Sequence, residues 1–336
     1  MQLTLSEFLS LRHELPVIDV RSEGEFDAGH IPGVVNIPLL NNAERVVVGT
    51  TYKQQGQLAA IHEGFRLVGP RLQDMILAAE RVVPGKEALV HCWRGGMRSS
   101  NFSQFIGMAG IRSRVLTGGY KAYRQAALEM FRSPLNLVVI TGCTGSGKSE
   151  LLRELARQGE QVLDLEQMAS HKGSAFGHLL LPPQPTGEQF QNELYERLLQ
   201  FDVKQRIWVE DESIAIGKIF LPSDFWAQLH RSPLVRMEVP KEVRISRLVE
   251  EYGPADREEF LSIMKKISRK LGGQHFNEAS AKLLEGDMPA VIDILLTYYD
   301  KAYLRSMEKR SPQLKQAVSW DGRELSTLAH DLIRNA

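Results

Sequence analysis

Two short stretches of this chain carry residue types that could make and break bonds. In His91 to Ser100, HCWRGGMRSS, a thiol opens a loop that contains two adjacent glycines and two arginines. Ala88-Leu89-Val90 reads as the end of a buried strand, and Asn101 to Ala109 reads as the start of a helix. Cys92 therefore falls at a strand-to-helix turn. Gly95 and Gly96 let the backbone between Trp93 and Met97 curl so that N–H groups turn inward, and the helix N-terminus adds its positive dipole end. Such a cradle suits a tetrahedral oxyanion. The same field favours thiolate over thiol, with Arg94 and Arg98 able to reinforce it, so Cys92 is expected to act as a nucleophile at neutral pH. A lone cysteine at a strand end would be ordinary packing; the Gly-Gly pair and the arginines argue against that here.

The second stretch is GCTGSGKS, Gly142 to Ser149, a full G-x-x-x-x-G-K-[ST] motif. It follows the apolar run LNLVVI, Leu135 to Ile140, and precedes a helical pattern at Glu150 to Arg157. That strand-to-helix setting is the one in which such a loop wraps a diphosphate. Gly142, Gly145 and Gly147 shape the loop, Lys148 bridges phosphate oxygens and Ser149 is placed to hold Mg²⁺. Cys143 stands at a variable loop position and reads as a space-filling residue. Further on, RIWVE, Arg206 to Glu210, reads as a buried strand that delivers Glu210-Asp211-Glu212. Glu210 or Asp211 could position a metal-bound water, with caps or surface charges as the plain alternative. The segment LDLEQMASHKGSAFGHL, Leu163 to Leu179, offers Asp164 and Glu166, then His171, Lys172, Gly173 and Ser174. Polar residues interrupted by glycines suit a substrate loop, and His171 and Ser174 are its candidate contacts.

The elements that must position these residues follow an α/β pattern. PVIDV (Pro16 to Val20), helix formers from Arg21 to Gly29, HIPGVVNIPL (His30 to Leu39) and RVLTGGYKAYRQ (Arg114 to Gln125) alternate strand and helix character around the Cys92 loop. A parallel sheet is expected, with the reactive loop at a carboxyl end. Asn41 to Gly69 shows no clear periodicity and reads as a surface loop. Ser133-Pro134 punctuates the chain, giving domains at 1–132 and 133–336. The C-terminal part reads as mostly helical: Lys241 to Tyr252, Ala255 to Leu271, Asn277 to Glu285 and Pro289 to Met307. Arg244 with Arg247, and Lys265, Lys266, Arg269 and Lys270, read as solvated basic faces. Gly272 to Phe276 is expected to break the helices and could offer a stacking aromatic.

Composition bounds the function. The chain has 336 residues, 43% hydrophobic and 24% charged, which suits two globular domains. No apolar run approaches the roughly 18 residues of a membrane span and no export signal is legible at the start, so a cytoplasmic protein without a membrane partner is expected. Two cysteines are too few for a disulfide framework or a cysteine-built zinc site. Net charge is zero, with a balance of +3 up to Pro134 and −3 beyond, so any nucleic-acid partner must be met by local patches.

Several motifs resemble known families. Asp19-Val20-Arg21, Glu25-Phe26, Gly29-His30-Ile31-Pro32-Gly33 and Asn36-Ile37-Pro38 resemble the entry motif of rhodaneses, and Leu116-Thr117-Gly118-Gly119-Tyr120 resembles their closing motif. Cys92 falls where that family carries its persulfide, while Asp19, Arg21, Glu25 and His30 read better as a bracing cluster. The interval Cys92 to Arg98, preceded by His91, is one residue longer than many sulfur-transfer loops and equals the HC-x5-R pattern of cysteine-dependent phosphatases. It admits a larger anion, such as a phosphate ester or selenophosphate. Taken with GCTGSGKS, the stretches ASHKGSAFG, EDESIAIG and RKLGGQHFNEA make the chain similar, nearly end to end, to the tRNA 2-selenouridine synthase family. One departure is Ile214, where that resemblance leads one to expect arginine.

The resemblance implies a rhodanese-like domain followed by a P-loop NTPase-like α/β domain. It implies a tRNA partner bearing wobble 2-thiouridine in its anticodon loop, and two co-substrates, geranyl diphosphate and selenophosphate, with no tightly bound cofactor. Cys92 and Arg98 would be catalytic, Trp93 to Met97 would form the selenophosphate loop, and an enzyme supplying selenophosphate would be a further partner. Two other readings stay open: a phosphatase or sulfurtransferase fused to a P-loop kinase, and a nucleotide-gated redox switch.

Overall fold

The computed structural model describes residues 1–335, which divide into two compact units. The first comprises Met1–Met130 with Gln191–Glu196, and the second comprises the rest from Phe131 onward.

The first unit holds five strands, β1 (Gln2–Leu3), β2 (Val17–Asp19), β3 (Val35–Asn36), β4 (Glu87–His91) and β5 (Arg112–Leu116), in the order β1-β5-β4-β2-β3. Every pairing is parallel. β4 is the middle strand, and Ala88 to His91 are all buried, as its unbroken apolar run requires of a strand covered on both faces. Its register sets Asp19 opposite His91, so both stand at the carboxyl end of the sheet beside Cys92. Asp19 is fully buried and accepts from Arg21 Nε at 2.9 Å and Nη2 at 2.7 Å. The same guanidinium donates to Gly29 O at 2.8 Å and lies 3.8 Å above the Tyr120 ring centroid. The pair therefore pins three segments around the sheet's reactive end.

The insertion expected to be an irregular surface loop is instead two helices, Asn42–Gln55 and Gln57–Val68, turned at Gly56 with φ of 88°. Asn41 and Glu44 form a capping box at the start. The first helix buries none of its side chains, so it carries no apolar stripe from which a period could be read. The second buries Ala60 and Val68.

The second unit is built on β6 (Leu137–Gly142), β7 (Gln161–Leu163), β8 (Ile207–Glu210), a small antiparallel pair β9 (Ala215–Ile216) and β10 (Ile219–Phe220), β11 (Leu234–Glu238) and β12 (Leu314–Ser319). The main sheet runs β12-β11-β6-β8-β7, entirely parallel. Helices Lys241–Tyr252, Arg257–Leu271, Gly273–Glu285 and Met288–Lys309 pack around Phe260, Met264, Ala279, Val291 and Leu295. The chain then returns to the sheet through β12 and the helix Leu325–Asn335, so its last part is not helical throughout. Gly272 does end one helix, with φ of 91°, but the next starts at Gly273 and turns Phe276 against the helical core. Phe276 is thus a packing residue and not a stacking platform, because its helical position faces the neighbouring helices.

Replacing Arg21 by Met should leave the Asp19 carboxylate buried without its cation, at a cost of about 3–5 kcal/mol. Arg132→Ala, which breaks an exposed pair with Asp224, should cost no more than about 1 kcal/mol. Urea unfolding of both variants checks the contrast.

Candidate active site

The Cys92 loop is closed from beneath by backbone. Tyr120 N–H donates to Cys92 O at 2.8 Å and Lys121 N–H to Trp93 O at 2.9 Å. Gly95 (φ 65°) and Gly119 (φ 57°) meet here so closely that a Cβ on Gly95 would overlap Leu116 O, and one on Gly119 would overlap Cys92 O. The loop feeds the helix Met97–Met108, whose N-cap, Gly96, offers no side-chain hydrogen bond to the first-turn amides. Those amides are the ones that favour an anion.

Cys92 is 3% exposed, and its Sγ lies 3.3 Å from Ser99 Oγ, which donates to Gly96 O at 3.0 Å. A hydroxyl that can turn from Gly96 O to the sulfur is suited to a thiolate. Ser99 was not singled out from sequence, although its place directly after Arg98, on the first helical turn, is a usable signal. Arg94 is exposed. Arg98 turns to Glu25, with Nη1 at 2.6 Å from Oε2, and Arg45 Nε stands 3.0 Å from the same oxygen. Burial works against the Glu25 carboxylate, but the Arg98 hydrogen bond and charge, helped by Ser22 N–H and Arg45, hold its pKa below the ordinary value. An anion in the cradle would take over the Arg98 contact that Glu25 now makes. Burial also lowers the His91 pKa below 6.5, so its imidazole is neutral at pH 7 and Arg21 is the cation beside Asp19.

In the second unit the loop after β6 opens on a cleft of about 990 Å³, at the upper end of the roughly 300–1,000 Å³ of small-molecule sites. Gly145 and Gly147, with φ of 80° and 83°, turn the loop. Lys148 Nζ lies 3.4 Å from Gly142 O, and Ser149 Oγ donates to Glu166 Oε2 at 3.0 Å. Burial opposes the Lys148 ammonium, yet Glu166, Glu212, Asp211 and Glu210 outweigh it and raise its pKa above 10.5. Burial, with Asp300 next, pushes Cys143 up to about 11, so it is a neutral thiol.

The three acidic residues after β8 take separate places. Glu210 is fully buried and accepts Glu166 N–H at 2.6 Å, while its Oε2 has no hydrogen-bond partner among the described residues. Asp211 lines the cleft, accepts from Thr141 Oγ1 at 2.6 Å and pairs with Arg310. Glu212 also lines the cleft and, after Glu166, acts most strongly on Lys148. Burial, reinforced by Asp164 and Glu166, drives the Glu210 pKa well above 4.5, and burial with Glu166 does the same for Glu212. Ser174 lines the cleft, whereas His171 is buried where Gly177 and Gly217 leave no room for a Cβ. Arg244 and Arg247 are not a solvated stripe. Arg244 is 6% exposed, bonded to Asp300 at 2.8 Å and to Thr144 O at 3.3 Å, and Arg247 Nε donates to Gly145 O at 3.2 Å. They tie down the phosphate loop from behind because their helix packs against it. Lys265, Lys266, Arg269 and Lys270 do face solvent.

Fold and sites together define a rhodanese-like module and a P-loop module on one chain. Residues 4–126 match the rhodanese-like domain family, and residues 135–324 match the family described as the tRNA 2-selenouridine synthase AAA domain. The chain is 34% identical to the tRNA 2-selenouridine synthase of Nitrosomonas europaea, over 88% of this chain and 90% of that protein. It is equally 34% identical to that of Nitrosomonas eutropha, over 88% and 89%. The chain belongs to the tRNA 2-selenouridine synthase family.

A carboxyl group whose pKa is raised on folding binds its proton more tightly in the folded state, so its contribution to stability falls as pH rises above 4.5. Glu210→Gln keeps an oxygen for Glu166 N–H and removes the titration. Its thermal midpoint should exceed that of the parent near neutral pH, and the gap should shrink towards about pH 5.

Proposed function

We propose that this chain converts the wobble 2-thiouridine of tRNA to 2-selenouridine through an S-geranyl intermediate, using geranyl diphosphate and selenophosphate. The observation that carries the reading is the pairing, in one member of this family, of a thiol-bearing oxyanion loop with a diphosphate loop. The thiocarbonyl sulfur attacks the first carbon of the allylic diphosphate. An S–C bond forms, the C–O bond to diphosphate breaks and the base gives up its N3 proton. Lys148 and the loop amides stabilise the departing diphosphate, so the P-loop serves as a leaving-group site and ATP is not required. Ser149 and Glu166, two neighbouring hard oxygen donors, fit Mg²⁺, which would supply further charge neutralisation there.

S-alkylation makes carbon 2 of the base electrophilic. The selenium of selenophosphate adds at that carbon, geranyl thiol leaves with a proton as the C–S bond breaks, and water then takes the phosphoryl group, breaking the P–Se bond to leave 2-selenouridine and phosphate. Cys92 is assigned to selenium delivery, with the loop from Trp93 to Met97 and Arg98 holding the phosphate of the donor. The partners are then tRNA and an enzyme that makes selenophosphate, and the cytoplasm is the place of work. No helix among the described residues is long and apolar enough to cross a membrane.

Nucleoside mass spectrometry tests this with 2-thiouridine tRNA, geranyl diphosphate and no ATP, before and after selenophosphate is added. A geranyl mass gain followed by sulfur-to-selenium exchange is the expected result. Cys92→Ser should stop at the S-geranyl product, and Lys148→Ala should slow geranylation by about a hundredfold or more. Nucleotide hydrolysis or phosphate release without a modified base would instead favour a phosphatase fused to a kinase.

A further inference from the structure

Beside the Cys92 loop the first unit contains a partly open apolar cavity of about 160 Å³ that shares only Met97 and Arg98 with the Cys92 site and nothing with the diphosphate cleft. Val48, Ala60 and Ile61 of the two inserted helices form its walls, and Leu39 and Leu40 form its floor. Met97, Arg98 and Phe105, on the helix that follows Cys92, close the third side. Cys92 belongs to the same apolar cluster as Leu39, Leu40 and Val68. Gln57 Nε2 meets Met97 Sδ at 3.8 Å, joining the insertion to the first turn after the reactive loop.

Two features indicate what fills the cavity. Tyr52 and Phe65 stand in its lining yet remain 58% and 57% exposed, so large apolar surface is left at the mouth. Interiors are ordinarily close-packed, and an open apolar pocket with a few placed polar groups is the usual form of a ligand site. The placed group here is Arg98, held by Glu25 at the edge next to the Cys92 loop. An apolar wall ending in a cation beside a nucleophile fits a hydrocarbon chain joined to a polar head.

We propose that this cavity binds the prenyl chain of the S-alkylated base during selenium transfer, which rests on the reaction given above. An apolar cavity of roughly 150 Å³ is enough for benzene, so the present one takes a terminal isoprene unit, and the remainder of the chain runs along Tyr52 and Phe65. Seating the tail there brings the thioether, and with it carbon 2, to the Cys92 loop. The inserted helices thereby distinguish the alkylated base from unmodified 2-thiouridine.

The test uses the full chain, saturating selenophosphate and tRNAs carrying S-geranyl, S-dimethylallyl or S-methyl 2-thiouridine. KM should rise by about tenfold or more from geranyl to methyl, because each buried carbon adds to binding, while kcat changes less. Ala60→Phe, which fills the cavity, should raise the geranyl KM to the methyl value. Phe65→Ala, at an exposed position that folding tolerates, should raise the geranyl KM severalfold and so decides the matter if Ala60→Phe proves unstable on heating. Equal KM values for the three substrates in the parent, or an intact geranyl preference in Phe65→Ala together with a folded Ala60→Phe, would overturn the proposal. Failure to convert any alkylated tRNA would remove the underlying reaction and the proposal together, whereas conversion indifferent to chain length removes only the cavity's role.

Discussion

A parallel strand that ends on a glycine turn and passes at once into a helix leaves the first amides of that helix without intrahelical partners. Each unit of this chain is arranged around one such junction. In the first, buried β4 delivers Cys92 to a turn held by Gly95; in the second, buried β6 delivers Lys148 to a turn held by Gly145 and Gly147. The strands anchor the loops because their side chains are covered on both faces. The loop geometry is therefore set by the sheet, and its chemistry by what surrounds it.

Those surroundings differ sharply. Cys92 sits among apolar side chains with Ser99 as its polar neighbour, and Arg98 of the loop is engaged by Glu25. Lys148 stands amid Glu166, Glu210, Asp211 and Glu212. The thiol lies in an apolar setting, whereas a lysine among carboxylates is held charged at all ordinary pH. Arg244 and Arg247 add rigidity to the second loop through its carbonyls, Thr144 O and Gly145 O. One junction thus places a thiol in an apolar setting and the other an ammonium among carboxylates.

Much of this was legible in the sequence because the loops are local. Gly142 to Ser149 and His91 to Arg98 each carry strand, turn and helix signals within a few residues, and the helix Lys241–Tyr252 has the bounds that its apolar spacing predicts. What escaped depends on contacts distant along the chain. The amphipathic pattern of Lys241–Tyr252 reveals a helix but not that Arg244 and Arg247 look back at a loop about a hundred residues earlier. Glu210, Asp211 and Glu212 are adjacent in sequence, and only the tertiary fold sends one into the core and two into the cleft. The helix Asn42–Gln55 lacked a legible period because it buries no side chain, and Gln57–Val68 buries only Ala60 and Val68. β12 escaped because an edge strand with alternating exposure carries too little apolar signal.

The close approach of Gly95 and Gly119 has a consequence for how such a chain can change over time. Each glycine faces main-chain atoms of the other's segment, which cannot be trimmed by a compensating substitution as a side chain could. Any lineage that replaces one meets the same obstruction whatever stands at the other, so no order of mutations offers an open route. The Arg94 side chain, exposed on the same loop, faces no such barrier. Drift is thus channelled into the exposed part of the loop, while the hidden frame stays put.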